Sequence, residues 1–266
     1  MDIQEFFMTT FSKEQKIRLV PFFSTWLLYY ILYMPIWGNP SETLGAVFFK
    51  ILPIASLAFY IISSAKKTPG FPTKDDLIPD DSRARYFLFA LAASALGDAC
   101  LVWRETLFIP GLLAFAIGHV FYFIGLEDDA NTSKTSRTRN IFILAALDVF
   151  LFIQPGINSY VLTVLVAMYI ALIFSVGWRA TARYEAESTR AAFCGCLGAV
   201  LFIASDFLIA TDKWNFTVPF GPSMIMSTYY GAQLGLAVST TRDLKYDVAT
   251  EKASQKENAS GEIKED

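Results

Sequence analysis

Charged residues are confined to short segments of this 266-residue chain, and long apolar stretches separate them. Three stretches contain no Asp, Glu, Lys or Arg, namely 19–41, 106–126 and 214–241. Four more contain a single charged residue each, namely 43–65, 86–103, 140–178 and 191–211. A helix needs about 20 mostly apolar residues to cross a hydrocarbon core about 30 Å thick. The pattern therefore predicts a membrane protein rather than a water-soluble one.

Turn-forming residues divide the stretch 140–178 at Gln154–Asn158, which brings the number of predicted spans to eight. We predict helices rather than strands, because an open sheet leaves backbone groups unsatisfied in lipid. The fold class is therefore an all-α polytopic transmembrane bundle of eight helices. The predicted spans are 19–37, 43–63, 85–103, 107–126, 140–154, 159–178, 191–211 and 220–240.

The distribution of Lys and Arg predicts the orientation of the bundle. Nineteen of the 22 lie before the first span, in every second loop, or in the tail, and only Arg104 and Lys213 lie in the opposite loops. The positive-inside rule then puts both termini in the cytoplasm. We predict a cytosolic N-terminal segment 1–18, a transmembrane domain 19–241 and a disordered cytosolic tail 242–266, which is polar and lacks hydrophobic periodicity.

The composition argues against several other classes of protein. Charged residues make up 18% of the chain, against about 25% in soluble domains, and the mean hydropathy is +0.40. A formal net charge of −3 gives no reason to expect nucleic-acid binding. The chain has one His, so metal sites that need two or three imidazoles are excluded, and three Cys cannot form a disulfide framework. We expect no metal and no cofactor.

Five ionisable residues fall within the predicted spans, where charge is costly and by default marks a functional site. At about 1.5 Å per residue, Asp98 and Asp206 each lie about 8 Å from the non-cytoplasmic end of a helix. Lys50 lies about 10 Å from that side, and His119 lies near the bilayer centre. These four groups therefore converge on the middle and outer half of the membrane. Asp148 we expect to face its own loop region or to pair with a cytosolic Arg.

Four polar neighbours extend this candidate site. Tyr122 is three residues after His119 and shares its helix face. Tyr229 and Tyr230 precede Gln233 by four and three residues on the last span, so these three also share a face. Gly97, just before Asp98, permits close approach of a neighbouring helix.

Purely structural interpretations remain open at this point. Asp98, Asp206 and Lys50 could form an ion-pair network without catalytic function. His119 could serve only to hydrogen-bond a neighbouring helix.

Four short motifs resemble the YhhN-type lysoplasmalogenases, a family of eight-span membrane proteins. They are SALGDACL at 94–101, FAIGHVFY at 115–122, ASDFL at 204–208 and STYYGAQ at 227–233. The family's Lys-Pro-Leu on the second span appears here as Lys50-Ile51-Leu52-Pro53, with the Lys kept and the Pro displaced. The resemblance covers roughly residues 40–240.

The resemblance implies hydrolysis of the vinyl ether bond of lysoplasmalogens. The products are a fatty aldehyde and glycerophosphoethanolamine or glycerophosphocholine, and the animal members imply the endoplasmic reticulum membrane. The partners would be the lysophospholipid substrate and the bilayer.

Two carboxyl groups suit this reaction, because protonation of the alkene gives an oxocarbenium ion, as in glycosidases. The sequence does not assign which Asp is the acid, so we test Asp206 as the acid and Asp98 as the base that orients water, with Lys50 holding one carboxyl anionic. His119, Tyr122, Tyr229, Tyr230 and Gln233 would orient the carboxyls, water or the glycerophosphate group. We expect both carboxyls in one cavity.

Two functions of other classes use the same residues. A transporter or lipid scramblase could employ Asp98, Asp206 and Lys50 as a relay. A structural or receptor-like membrane protein would need them only for packing.

Overall fold

A computed structural model describes residues 13–33, 35, 38, 40–65, 77–126 and 136–241. Within these residues the chain forms eight α-helices and no strands. The predicted tail 242–266 and most of the predicted N-terminal segment 1–18 lie outside the described residues. The helices are α1 (Lys13–Tyr33), α2 (Leu44–Ala65), α3 (Ser82–Cys100), α4 (Phe108–Gly125), α5 (Ser136–Ile153), α6 (Tyr160–Glu187), α7 (Arg190–Trp214) and α8 (Gly221–Val238).

Each helix covers one predicted span, and the differences lie at the ends. α1 begins at Lys13, inside the predicted N-terminal segment, and α6 continues nine residues beyond the predicted end at 178. Short 3₁₀ helices at Leu101–Trp103 and Gln154–Gly156 follow α3 and α5. The second of these is the predicted break in the stretch 140–178. The all-α fold class is therefore confirmed for the described residues.

Six of the described helices, α2 to α7, are long and apolar enough to cross a membrane by length and composition. The chain is therefore an integral membrane protein. α1 and α8 do not reach this standard. α8 has a physical reason to be more polar, since its Tyr229, Tyr230 and Gln233 are buried against protein rather than lipid. The eight-span count and the orientation of the termini stay predictions.

Side-chain caps begin four of the described helices, and at α2 the Thr43 hydroxyl accepts a hydrogen bond from the Ala46 amide. Asp81 accepts a hydrogen bond from the Arg83 amide at the start of α3, and Ser159 and Thr189 do the same for α6 and α7. These acceptors satisfy amide groups that have no partner inside the helix. The caps fix where each helix begins and therefore how far along the bundle its polar residues lie.

Glycines allow the closest helix contact, between α7 and α8. A Cβ at Gly198 would lie 2.7 Å from the backbone N of Leu236, and one at Gly235 would lie 2.6 Å from the carbonyl O of Cys194. Small residues at facing positions let helix backbones pack closely in membranes. On α3, Gly97 accommodates the ring of Phe115, 2.6 Å from where a Cβ would lie, which agrees with its predicted role in close packing.

α5 lies at the edge of the bundle and packs mainly against α6. Within this helix only Ile153 is buried, while Ile143, Leu144 and Leu147 are exposed. Exposed aliphatic side chains on a spanning helix are expected to face lipid acyl chains. α8 lies at the other extreme, since it is covered by α2, α3 and α7. The polar residues of α8 therefore reach the interior of the bundle.

Candidate active site

Lys50 of α2 and Asp98 of α3 form a buried ion pair. Lys50 Nζ lies 3.3 Å from Asp98 Oδ1, and it also donates to the Asp98 carbonyl O at 3.3 Å. The two residues are 8% and 2% exposed. Pro53 lies inside α2 without ending it, so the displaced proline leaves Lys50 on a continuous helix. A buried charge needs such a partner, because removal from water is costly for each ion alone.

Two tyrosines of α8 complete this first set of contacts. The Tyr229 hydroxyl donates to Asp98 Oδ2 at 2.5 Å, and the Tyr230 hydroxyl donates to the Lys50 carbonyl O at 2.8 Å. Asp98 thus uses one carboxyl oxygen for a cation and the other for a phenol. This arrangement stabilises the carboxylate form of Asp98 by two charge-assisted contacts.

Asp206 of α7 belongs to a second set, with His119 of α4 and Tyr169 of α6. The Tyr169 hydroxyl donates to Asp206 Oδ2. His119 Nε2 lies 3.0 Å from the Tyr169 hydroxyl and 3.7 Å from Asp206 Oδ2. His119 therefore forms a hydrogen bond to a neighbouring helix, as one of the two interpretations of the sequence predicted. Its partner, Tyr169, also contacts Asp206.

The two sets differ in burial and in charge. The Asp206 side chain is 17% exposed, against 2% for Asp98. No Lys or Arg forms an ion pair with Asp206 among the described residues, whereas Asp98 has Lys50. His119 Nδ1 is buried without a hydrogen-bond partner in the described part of the chain. The two carboxyls therefore lie in different electrostatic environments.

Tyr122 and Gln233 form a third contact deeper in the bundle. The Tyr122 hydroxyl donates to Gln233 Oε1 at 2.5 Å, and both side chains are fully buried. Gln233 Nε2 has no hydrogen-bond partner among the residues that the structure describes. This pair joins α4 to α8 and contacts neither carboxyl directly through a hydrogen bond in the described structure.

Aromatic rings lie between the two carboxyl sets. The ring centroid of Phe202 is 4.6 Å from that of His119 and 5.6 Å from that of Tyr229, and Phe115 is 5.9 Å from Tyr229. The structure thus brings the predicted carboxyls to one region, yet it does not join them in a single hydrogen-bonded set.

Two neighbouring cavities lie near the candidate site, and Asp98 lines neither of them, so neither is the shared cavity expected for the two carboxyls. The first, which we call the apolar cavity, has a volume of about 70 Å³ and has Asp206 and Tyr169 as polar residues in an otherwise hydrophobic wall. The second, which we call the charged cavity, also has a volume of about 70 Å³ and is lined by Lys50 and Arg104 among mainly apolar side chains. Three side chains line both cavities, namely Leu101, Phe108 and Ile209.

A surface groove of about 420 Å³ runs between α5 and α6. Ile170 and Phe174 line both this groove and the apolar cavity. Asp148 is exposed on α5 and belongs to neither carboxyl set. In the described segments, no three His, Cys, Asp or Glu side chains converge as metal ligands would.

Sequence reasoning missed Tyr169 and Arg104. Tyr and Trp concentrate at membrane interfaces, so a tyrosine nine residues into a span is unusual and could have indicated a buried polar role for Tyr169. Arg104 was noted only for orientation, although it is one of two cations on its side of the bundle. Its position in the charged cavity depends on how the 3₁₀ turn after α3 folds back.

Comparison with known proteins agrees with the motifs. The YhhN family model matches residues 45–240. Lysoplasmalogenase TMEM86A from Homo sapiens is 34% identical over 236 residues, which cover 86% of this chain and 91% of that protein. Lysoplasmalogenase TMEM86A from Bos taurus is 32% identical, with the same shares covered, and lysoplasmalogenase TMEM86B from Rattus norvegicus is 30% identical over 84% of each chain. No solved structure matches the chain significantly. The protein therefore belongs to the YhhN family.

Proposed function

We propose that this protein is an integral membrane lysoplasmalogenase. It would hydrolyse the vinyl ether bond of a lysoplasmalogen to a fatty aldehyde and glycerophosphoethanolamine or glycerophosphocholine. The names of its relatives support the activity. The observation that carries the mechanism is the difference between the carboxyls. Asp98 is paired with Lys50, whereas Asp206 borders the apolar cavity and has no Lys or Arg partner among the described residues.

The proposed reaction begins with proton transfer from Asp206 to the alkene carbon distal to the ether oxygen. The resulting oxocarbenium ion takes up water, and the Asp98 carboxylate accepts a proton from that water. The hemiacetal then collapses: Asp98 returns its proton to the leaving glycerol oxygen as that C–O bond breaks, and the proton of the hemiacetal hydroxyl passes back to Asp206, which leaves the aldehyde and the alcohol. Lys50 and Tyr229 hold Asp98 as the anion that this step requires.

Tyr169 and His119 would restore the proton on Asp206. The Tyr169 hydroxyl contacts both Asp206 Oδ2 and His119 Nε2, so a proton can pass along this row of three groups. Both ring nitrogens of a histidine can take part in such transfer, and the buried His119 Nδ1 is free to accept from a water or a substrate hydroxyl. Tyr122, Tyr230 and Gln233 would support the site by orienting α4, α2 and α8.

The proposed membrane arrangement has eight spans, both termini in the cytosol, and the endoplasmic reticulum as the host membrane. The charge asymmetry of the loops and the eight helices of the described chain support the span count. The two carboxyls then lie in the non-cytoplasmic half of the bilayer.

Aldehyde release by detergent-solubilised protein from lysoplasmenylethanolamine tests this function. Asp98→Asn and Asp206→Asn should each reduce the rate by at least about a hundredfold, the contribution typical of a general acid or base. Asp148→Asn, the same change at an exposed aspartate, should leave the rate unchanged. Near-normal turnover in either of the first two variants would refute the two-carboxyl mechanism. Lipid or ion flux in liposomes without aldehyde would favour the transporter or scramblase instead.

A further inference from the structure

The charged cavity contains two cations whose charges are compensated to different extents. Lys50 is paired with the buried Asp98 at 3.3 Å, so its charge is largely neutralised. Arg104 has Asp212 at 3.7 Å, which is longer than the 2.7–2.9 Å typical of a charge-assisted hydrogen bond. The side chains of Arg104 and Asp212 are 20% and 18% exposed. Arg104 therefore keeps donors with which it can bind an anion that enters the cavity.

The position of the charged cavity fixes how a lipid could occupy it. Its wall of Leu101, Phe108 and Ile209 is also a wall of the apolar cavity, where Asp206 lies. An amphiphile that crosses this wall would have its anionic part beside Arg104 and its hydrocarbon part beside Asp206. The bond between these parts would then lie on the side of the apolar cavity that Asp206 lines.

We propose that the charged cavity binds the phosphodiester of a lysophospholipid headgroup, with Arg104 as the phosphate ligand, while the apolar cavity binds the hydrocarbon chain. This inference deepens the proposed function and rests on it for the identity of the lipid. The planar guanidinium of Arg suits a phosphate because two parallel N–H groups can donate to two phosphate oxygens. Lys50 adds a second positive charge on the same cavity without giving up Asp98.

Two saturated ether lipids that cannot be hydrolysed separate phosphate recognition from chemistry. The probes are a 1-O-alkyl lysophosphocholine and the matching 1-O-alkylglycerol, measured for binding to the full chain in maltoside detergent. Arg104→Gln should raise the Kd of the lysophosphocholine about tenfold or more, the loss expected for a hydrogen bond to a charged group. The Kd of the alkylglycerol should not change. Arg104→Lys, which keeps the charge, should give an intermediate Kd.

Lys213→Gln is the matched control. It removes the other cation from the same side of the bundle, and Lys213 lies over the Phe108 ring rather than in the charged cavity. It should leave both affinities within about twofold, and equal weakening of lysophosphocholine binding by Lys213→Gln and Arg104→Gln would show a general electrostatic effect and overturn the assignment of Arg104. Equal weakening of both probes, or no change with Arg104→Gln in a protein of normal melting temperature, overturns the proposal. Intact phosphate-dependent binding without aldehyde release would instead refute the hydrolase while keeping the site.

Discussion

The buried ion pair between Lys50 and Asp98 makes a quantitative prediction about stability. We consider Lys50→Met and Asp98→Asn, alone and together. Each single change leaves one charge in the bundle without its partner. The double change removes both charges and keeps an amide oxygen at residue 98 that can accept the hydrogen bond from the Tyr229 hydroxyl. The pair should therefore couple strongly in a double-mutant cycle.

The magnitude follows from the geometry of the pair. At 3.3 Å and an effective dielectric constant of 20, the attraction is about 5 kcal/mol. In the native protein, the cost of removing both ions from water offsets much of this attraction. When one partner alone is removed, the other ion still bears its own desolvation cost but has lost the attraction. Each single variant should lose about 3–5 kcal/mol of unfolding free energy, and the double variant should lose less than the sum by about 2 kcal/mol or more.

The assay is reversible unfolding of the purified protein by SDS titration in mixed micelles. A second cycle at Arg104 and Asp212 serves as the comparison, because that pair is longer at 3.7 Å and its side chains are about one-fifth exposed. Its coupling should stay below about 1 kcal/mol. Additive losses for Lys50 and Asp98, or equal coupling in both cycles, would show that the buried pair does not hold the charge of Asp98.

Three further changes test separate parts of the structure. Tyr169→Phe removes the hydroxyl that joins the second carboxyl to the histidine, so the aldehyde release rate should fall about tenfold to a hundredfold while KM stays the same and the protein stays folded with a lower melting temperature; Tyr160→Phe, at an exposed position of the same helix, should be neutral, and equal rates in the two would contradict proton transfer along Asp206, Tyr169 and His119. Gly198→Leu places a side chain where even a Cβ would lie 2.7 Å from the backbone N of Leu236, so it should cost about 2 kcal/mol or more of unfolding free energy. Gly45→Leu, where the nearest atom would lie 3.5 Å from the Cβ, should cost much less. Ala210→Trp fills part of the apolar cavity and should lower turnover of a long-chain lysoplasmalogen relative to a short-chain one, measured as aldehyde released; an unchanged ratio would mean that the chain binds elsewhere.

The helices could be predicted from the sequence because charge and hydropathy change sharply at their ends. Two helices continue beyond the predicted spans into polar sequence. The last turns of α6 contain Arg183 and Glu187, which pair four residues apart in a polar helix end that hydropathy cannot detect. At the other end of the chain, α1 begins with a charged turn that looked like a loop.

The candidate site could be predicted only as far as depth along each helix allows. Counting residues put Lys50, Asp98 and Asp206 at similar depths, and the structure pairs the first two. Depth does not fix helix rotation, so the rings of Phe115 and Phe202 between the carboxyls had no signal in the spacing. Tyr169 was missed for a similar reason, since an uncharged side chain does not interrupt an apolar span.

The groove between α5 and α6 has a consequence for the fate of a cleaved substrate. Ile170 and Phe174 are its boundary with the cavity that would hold the hydrocarbon chain. An aldehyde released there has a lateral exit into the surrounding acyl chains, past two side chains and a loosely packed helix. The glycerophosphodiester would instead leave to water past Arg104. The two products would then leave by different routes. The side-chain rotamers of Ile170 and Phe174 would set how fast the aldehyde departs.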